Sequence, residues 1–257
     1  MDLVSQNLLM TSGGKKDSTY VDDVFSTYLY DGNSTTLSVN SGVDNTKGGM
    51  IWFKARSESE RHILFDTERG TSNYIQSNST DTQTSGGAAL TSFDNDGYTL
   101  GASAYQNNSG RTYTSWNFRK AKGFFDIVTW TGNNTARTIA HSLGSVPGCI
   151  LIKCKDAGFN WMVYHRGANG GVNPADYGLR LNATNAQTDN STYFNDTLPT
   201  STHFTIGTNS QVNADGSNYV AYVFAGGESN AATAKSVEFN GSSQSLHMAA
   251  STSSMDF

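Results

Sequence analysis

The sequence predicts an all-β protein, and three observations carry that expectation. Aromatic residues make up 11% of the chain (13 Phe, 12 Tyr, 4 Trp), whereas charged residues make up only 15%. Aromatics and Thr suit a pleated, half-buried surface, and the abundant Gly and Asn suit the turns between strands. Helix-favouring runs of Ala, Leu, Glu and Lys are missing. Finally, the chain repeats itself. A glycine turn followed by Tyr-x-x-Trp-x-Phe runs from Asn107 to Arg119, and returns from Asn213 to Ala225 as a glycine turn followed by Tyr-x-x-Tyr-x-Phe. The copies align without a gap, 106 residues apart at Asn107 and Asn213, Gly110 and Gly216, Tyr113 and Tyr219, and Phe118 and Phe224. A core strand laid down by a tight turn has that order of residues.

Taken in order, the chain divides into four parts. Residues 1–22 read as an N-terminal attachment arm. Leu3, Val4, Leu8, Leu9 and Met10 form a short apolar head, and a polar Gly/Lys/Ser link follows. The head suits either a peg docked on a neighbouring subunit or a frayed terminus. Residues 23–122 form a first unit and residues 123–226 a second. Phe25, Gly32 and Asn33 recur 100 residues later as Phe125, Gly132 and Asn133. The apolar run from Gly49 to Lys54 recurs 99 later, from Gly148 to Lys153, and both runs read as strands central in a sheet. Arg69-Gly70 aligns with Arg166-Gly167 at 97, and Tyr98 to Gly101 with Phe204 to Gly207 at 106. The drift in offset places insertions in loops.

Each unit thus holds several short strands separated by turns, the pattern of a β-sandwich. The expected architecture is two tandem homologous β-sandwich domains, jelly-roll or lectin-like; the alternative is that both units are halves of one larger jelly roll. Residues 227–257 read as a linker and the first strand of an incomplete module, because Ser236 to Met248 echoes Tyr30 to Leu37.

Composition excludes several function classes. A net charge of −5 leaves no basic stripe to neutralise phosphates, so no nucleic-acid partner is expected. No apolar run approaches the ~20 residues of a membrane span, and the first ten residues lack the pattern of a secretory signal. Cys149 and Cys154, five places apart in an apolar run, point to opposite faces of a strand and read as free thiols.

Candidate chemistry is sparse. Glu58 and Glu60 have alternate-residue spacing but sit in a charged run, from Arg56 to Arg61, that reads as a hairpin tip. No nucleophile elbow frames any Ser/His/Asp pairing. Asp94 to Gly97 opens like a calcium loop without its distal acid, and reads as a turn. Trp161, Tyr164, His165 and Arg166 form the most distinctive cluster: either an aromatic platform with a cation that contacts a glycan, or core aromatics with Arg166 capping a turn. The chain is therefore read as a non-enzyme with no catalytic residues, no cofactor and no metal site.

Four stretches (Asp23 to Asn33, Ser115 to Arg119, Thr138 to Gly148 and Trp161 to Arg166) resemble a repeated domain of uncharacterised function. That domain occurs in structural proteins of marine bacteriophages, notably those of cyanobacteria and pelagic bacteria, and the resemblance covers residues 20 to 226. Val237 to Leu246 also resembles the opening strand of laminin-G/concanavalin A-like lectin modules. The resemblance implies a virion protein assembled in the host cytoplasm: a tail fibre or other surface appendage for host attachment, or a head-surface decoration protein. A secreted polysaccharide-binding protein is the remaining reading. Implied partners are other virion proteins through the N-terminal arm, further copies in a homotrimer or other symmetric homo-oligomer, and a host-surface glycan.

Overall fold

The structure, a computed structural model, describes residues 19–86 and 89–227. Helix α1 (Val21–Val24) leads into nine strands: β1 (Phe25–Asp31), β2 (Leu37–Asn40), β3 (Gly49–Ala55), β4 (Ile63–Asp66), β5 (Asn73–Gln76), β6 (Thr84–Ser85), β7 (Leu90–Asp94), β8 (Gly97–Leu100) and β9 (Thr112–Arg119). A short link crosses to β10 (Phe125–Thr131), β11 (Arg137–Ala140), β12 (Pro147–Cys154), β13 (Met162–His165), β14 (Tyr177–Arg180) and β15 (Thr188–Asp189). The chain closes with α2 (Ser191–Phe194), β16 (His203–Ile206), α3 (Ser210–Asn213) and β17 (Asn218–Ala225). The protein is all-β, built of antiparallel sheets in a sandwich-like arrangement. No helix among the described residues is long and apolar enough to cross a membrane.

Two six-stranded sheets dominate, ordered β1-β9-β3-β4-β5-β6 and β10-β17-β12-β13-β14-β15. Position by position these orders correspond. Each large sheet carries a smaller one, β2-β8-β7 in the first half and β11-β16 in the second. The apolar runs of β3 and β12 lie centrally and are buried on both faces, which explains why neither alternates. In β3, Ile51 and Phe53 pack toward the small sheet with Val39, Phe65 and Tyr98, whereas Met50 and Trp52 face the other way. In β12, Ile150, Ile152 and Cys154 join Phe204 and Tyr219, while Cys149 and Leu151 point oppositely. The two thiols are free and on opposite faces.

The outward faces of the two large sheets meet. Met50, Leu64 and Ile75 from the first half form one buried cluster with Phe125, Ile127, Leu151, Trp161, Val220 and Tyr222 from the second. The described residues therefore hold three cores, one per half and one shared. The link between β9 and β10, where the units were expected to divide, lies against this shared core through Phe124 and Phe125.

The 106-residue repeat has a physical cause. Asn107 is fully buried; its Oδ1 accepts from Asn33 N–H at 2.8 Å, and its Nδ2 donates to Thr35 O at 2.6 Å and Gly101 O at 3.0 Å. Asn213 makes the matching set to Asn133 N–H (3.0 Å), Thr135 O (2.8 Å) and Gly207 O (2.8 Å). One side chain thereby satisfies three backbone groups in two loops, two between the first pair of strands of each half and one just after β8 or β16. The Tyr113 hydroxyl accepts from Asn108 N–H and the Tyr219 hydroxyl from Ala214 N–H, each ring stacked on its neighbour across the strand pair, Tyr30 or Trp130. A Cβ on Gly32 would stand 2.2 Å from Asn108 O, and one on Gly132 would stand 2.0 Å from Ala214 O. Asparagine, tyrosine and glycine recur together because one lock is built twice.

The Arg-Gly alignment does not hold in space. Met50 pairs with Asp66, and Cys149 with His165, so β4 and β13 are equivalent at an offset of 99, as β3 and β12 are. Thr67 and Arg166 then correspond, each donating its N–H to a glycine carbonyl at the start of the neighbouring strand, Gly49, first in β3, or Gly148, second in β12. Arg69 is buried and Arg166 exposed. The shared dipeptide is ordinary turn chemistry. The apolar head from Leu3 to Met10, most of the attachment arm, residues 228–257 and the Ser236 to Met248 echo lie outside the described residues.

Candidate functional site

Three features of the described residues combine polar or aromatic side chains in unusual settings. The first is the seam between the large sheets. The turn after β4 folds Arg69 back so that its N–H donates to Asp66 Oδ1 (2.9 Å) and its Nε to Asp66 Oδ2 (2.6 Å). Its Nη2 donates to Leu64 O and to the Tyr222 hydroxyl, both at 3.0 Å, and that hydroxyl donates to Asp66 Oδ2 at 2.6 Å. Asp66, Arg69 and Tyr222 are all buried, so this charge pair is paired and hydrogen-bonded throughout. Nearby, Trp161 Nε1 donates to Gln76 O at 2.8 Å, and the fully buried Lys153 Nζ donates to Thr80 O at 2.9 Å and Phe159 O at 2.6 Å. Burial pushes the Lys153 ammonium down to about 8. Through Gln76 and Thr80 both side chains reach from the second half into the first.

The second feature is an open groove of about 260 Å³ at the end of the seam, lined by Glu68, Lys120, Asp126, His141 and Ser142 among others. Lys120 Nζ lies 2.8 Å from Glu68 Oε1 and 3.4 Å from Asp126 Oδ1. Asp126 also accepts from Ile127 N–H and Ser142 N–H, and His141 Nδ1 accepts from Leu143 N–H while Nε2 meets Thr200 O. This pattern fixes a neutral imidazole, and burial holds the His141 pKa below its ordinary value. The histidine bonds to neither the Asp126 carboxylate nor the Ser142 hydroxyl, so the three do not form a nucleophile–base–carboxylate relay. The equivalent groove in the first half, about 490 Å³, is lined by Ser26 and Ser41 where the second has Asp126 and His141.

The third feature is the free part of the first large sheet's outward face. One row across that sheet reads Thr27, Trp116, Trp52, Leu64, Ile75. Thr27 is exposed and both tryptophans are partly exposed; their rings lie edge to face at 6.0 Å, and Trp52 Nε1 donates to His62 Nδ1 at 3.1 Å. Leu29, two places along β1, is 56% exposed.

The residues singled out from the sequence are not brought together. Trp161 is wholly buried in the shared core and Tyr164 in the second half's own core, on opposite faces; His165 and Arg166 are exposed at the strand's end. Alternation along β13 separates what sequence adjacency suggested, and no aromatic platform forms. Arg166 Nη1 donates to Gly227 O, tying down the end of the described chain. Glu60 pairs with Arg111 at 2.6 Å on the β3–β4 loop. Asp94 and Gly97 pair across the β7–β8 hairpin, where the Asp94 carboxylate accepts from the Thr99 hydroxyl.

A family model, described as a domain of unknown function (DUF7483), matches residues 20–245. The chain belongs to that family. The DUF7483 match takes in both halves as one domain and runs on to residue 245, through most of the stretch that resembles a lectin opening. No curated protein and no solved structure matches the chain. Within this DUF7483 domain, Asp66, Arg69, Tyr222 and Lys153 were missed by sequence reasoning. A lysine inside an apolar strand run was the one signal available for any of them.

Proposed function

We propose that this chain is a structural protein of a bacteriophage particle, a tail fibre or other surface appendage contributing to host attachment, with no catalytic role. The observation that carries the structural part is the use made of its buried charges. Asp66, Arg69, Lys153 and Asp126 each spend their polar atoms on protein groups, and each makes at least one bond or ion pair to the other half of the body. Such a seam makes two sandwiches into one stiff block. The assignment to a virion rests on the resemblance of four stretches to phage structural domains. In this reading two homologous sandwiches stand in tandem, residues 1–22 engage another virion protein, and copies assemble symmetrically so that weak contacts with a surface glycan add through avidity.

The test is to fractionate phage lysates by density and label intact particles with an antibody to the chain. Label at the tail supports the appendage; label over the head supports the runner-up, a decoration protein. A chain that stays in the soluble fraction defeats both, and leaves the secreted polysaccharide-binding reading, which a broad glycan panel tests.

A further inference from the structure

We propose that the open face carrying Thr27, Leu29, Trp52 and Trp116 is a self-association surface whose occupant is the same face of a second copy of this chain. The argument is internal to the molecule, because the fold contains this face twice. The first row reads Thr27, Trp116, Trp52, Leu64, Ile75; its counterpart reads Ile127, Tyr222, Leu151, Val163, Leu179. In the second half, Ile127, Tyr222, Leu151 and Val163 are buried, and what buries them is the large sheet of the first half. In the first half only Leu64 and Ile75 are buried, while Thr27, Trp116 and Trp52 keep surface open.

The partner this face takes within the molecule is therefore a sheet of its own strand order. The internal contact covers Met50, Leu64 and Ile75 and reaches Trp52 and Phe118, and it leaves Thr27 and Leu29 exposed and Trp116 and Trp52 partly exposed toward the β1 edge. Two tryptophans and Leu29 toward that edge make an apolar surface with anchors suited to the centre of an interface. Charge sits at the margin of the face: Lys54 is turned aside to Ala55 O (2.8 Å) and Glu58 O (3.1 Å), and the exposed Asp31 stands at the far end of β1, so a two-fold axis through the tryptophans puts uncharged side chains at its centre. This inference does not depend on the virion assignment: a monomer would overturn it and leave the chain's place on a particle untouched.

Sedimentation velocity on the full chain, from low to high micromolar, tests it, alongside Thr27→Glu and Trp116→Lys. Thr27 is exposed and directly opposite Trp116, so its variant places two carboxylates against each other in the pair without disturbing a core. Far-ultraviolet spectra and melting curves verify that both variants fold. The expected result is a concentration-dependent dimer whose dissociation constant rises about 100-fold in each variant. A wild-type chain that stays monomeric overturns the proposal, as does a dimer that both variants leave intact. A monomer retained on a glycan column, with retention lost in Thr27→Glu, also overturns it and gives the face to sugar.

Discussion

The two halves agree closely in one region and diverge in another. At the loop lock, Asn107 and Asn213 make the same three bonds to the same three backbone positions. Across the outward sheet faces, Thr27, Trp116 and Trp52 stand where Ile127, Tyr222 and Leu151 stand in the other half. The lock satisfies backbone groups that every copy of the fold must satisfy, so its residues are interchangeable. The sheet faces meet different surroundings, one enclosed and one open, and their side chains follow the surroundings. Local geometry holds residues constant at matching positions of the two halves; tertiary position sets them apart.

The largest effect should come from the enclosed face. Arg69→Met leaves Asp66 buried beside Tyr222 without its cation, and should cost about 3–5 kcal/mol by urea denaturation. A loss below about 1 kcal/mol would mean that the seam is wetter than its burial indicates.

Asn107→Ala and Asn213→Ala should each cost about 3 kcal/mol, since each strips three backbone groups of their partner. The sharper expectation is equality. If one lock mattered far more than the other, the halves would not be physical duplicates.

Lys153 distinguishes the halves by pH. Its folded pKa of about 8 lies below the unfolded value of about 10.4, so above pH 8 the unfolded chain holds more protons and stability rises with pH. Wild type minus Lys153→Met should show a gain of about 2 kcal/mol between about pH 8 and 10. A flat difference curve would show that the ammonium is not desolvated.

The smallest effect contrasts two ring positions. Tyr222→Phe removes the hydroxyl that bridges Arg69 and Asp66 and should cost about 1–3 kcal/mol, whereas Trp116→Phe on the open face should cost less than about 1 kcal/mol in dilute solution. Equal losses would erase the contrast between the faces.

Much of the fold was legible in the sequence because its locks need particular residue types. The lock needs two donors and a separate acceptor on one short side chain, which the Asn amide supplies, and a Cβ at position 32 would stand 2.2 Å from Asn108 O, so Asn, Gly and Tyr held register at 100 and 106. Arg69-Gly70 and Arg166-Gly167 misled for the opposite reason: many turns accept that dipeptide, and one arginine is enclosed while the other ties down Gly227. The seam was illegible. Arg69 and Tyr222 lie 153 residues apart, and no periodicity in either strand signals a partner at that distance. Adjacency overstated the Trp161 to Arg166 cluster, because a strand sends neighbours to opposite faces.

The aromatic cluster at the seam's corner has a mechanical consequence. β1 starts at Phe25 and β17 ends at Ala225, and Phe25, Phe118 and Phe224 touch in sequence at 5.0 and 5.6 Å between ring centres. The backbone thus enters and leaves the block through one doorway. Tension drawn along the polypeptide therefore falls first on Phe25, Phe118 and Phe224, at one corner of the shared core, and reaches the two halves' own cores only after that corner has opened.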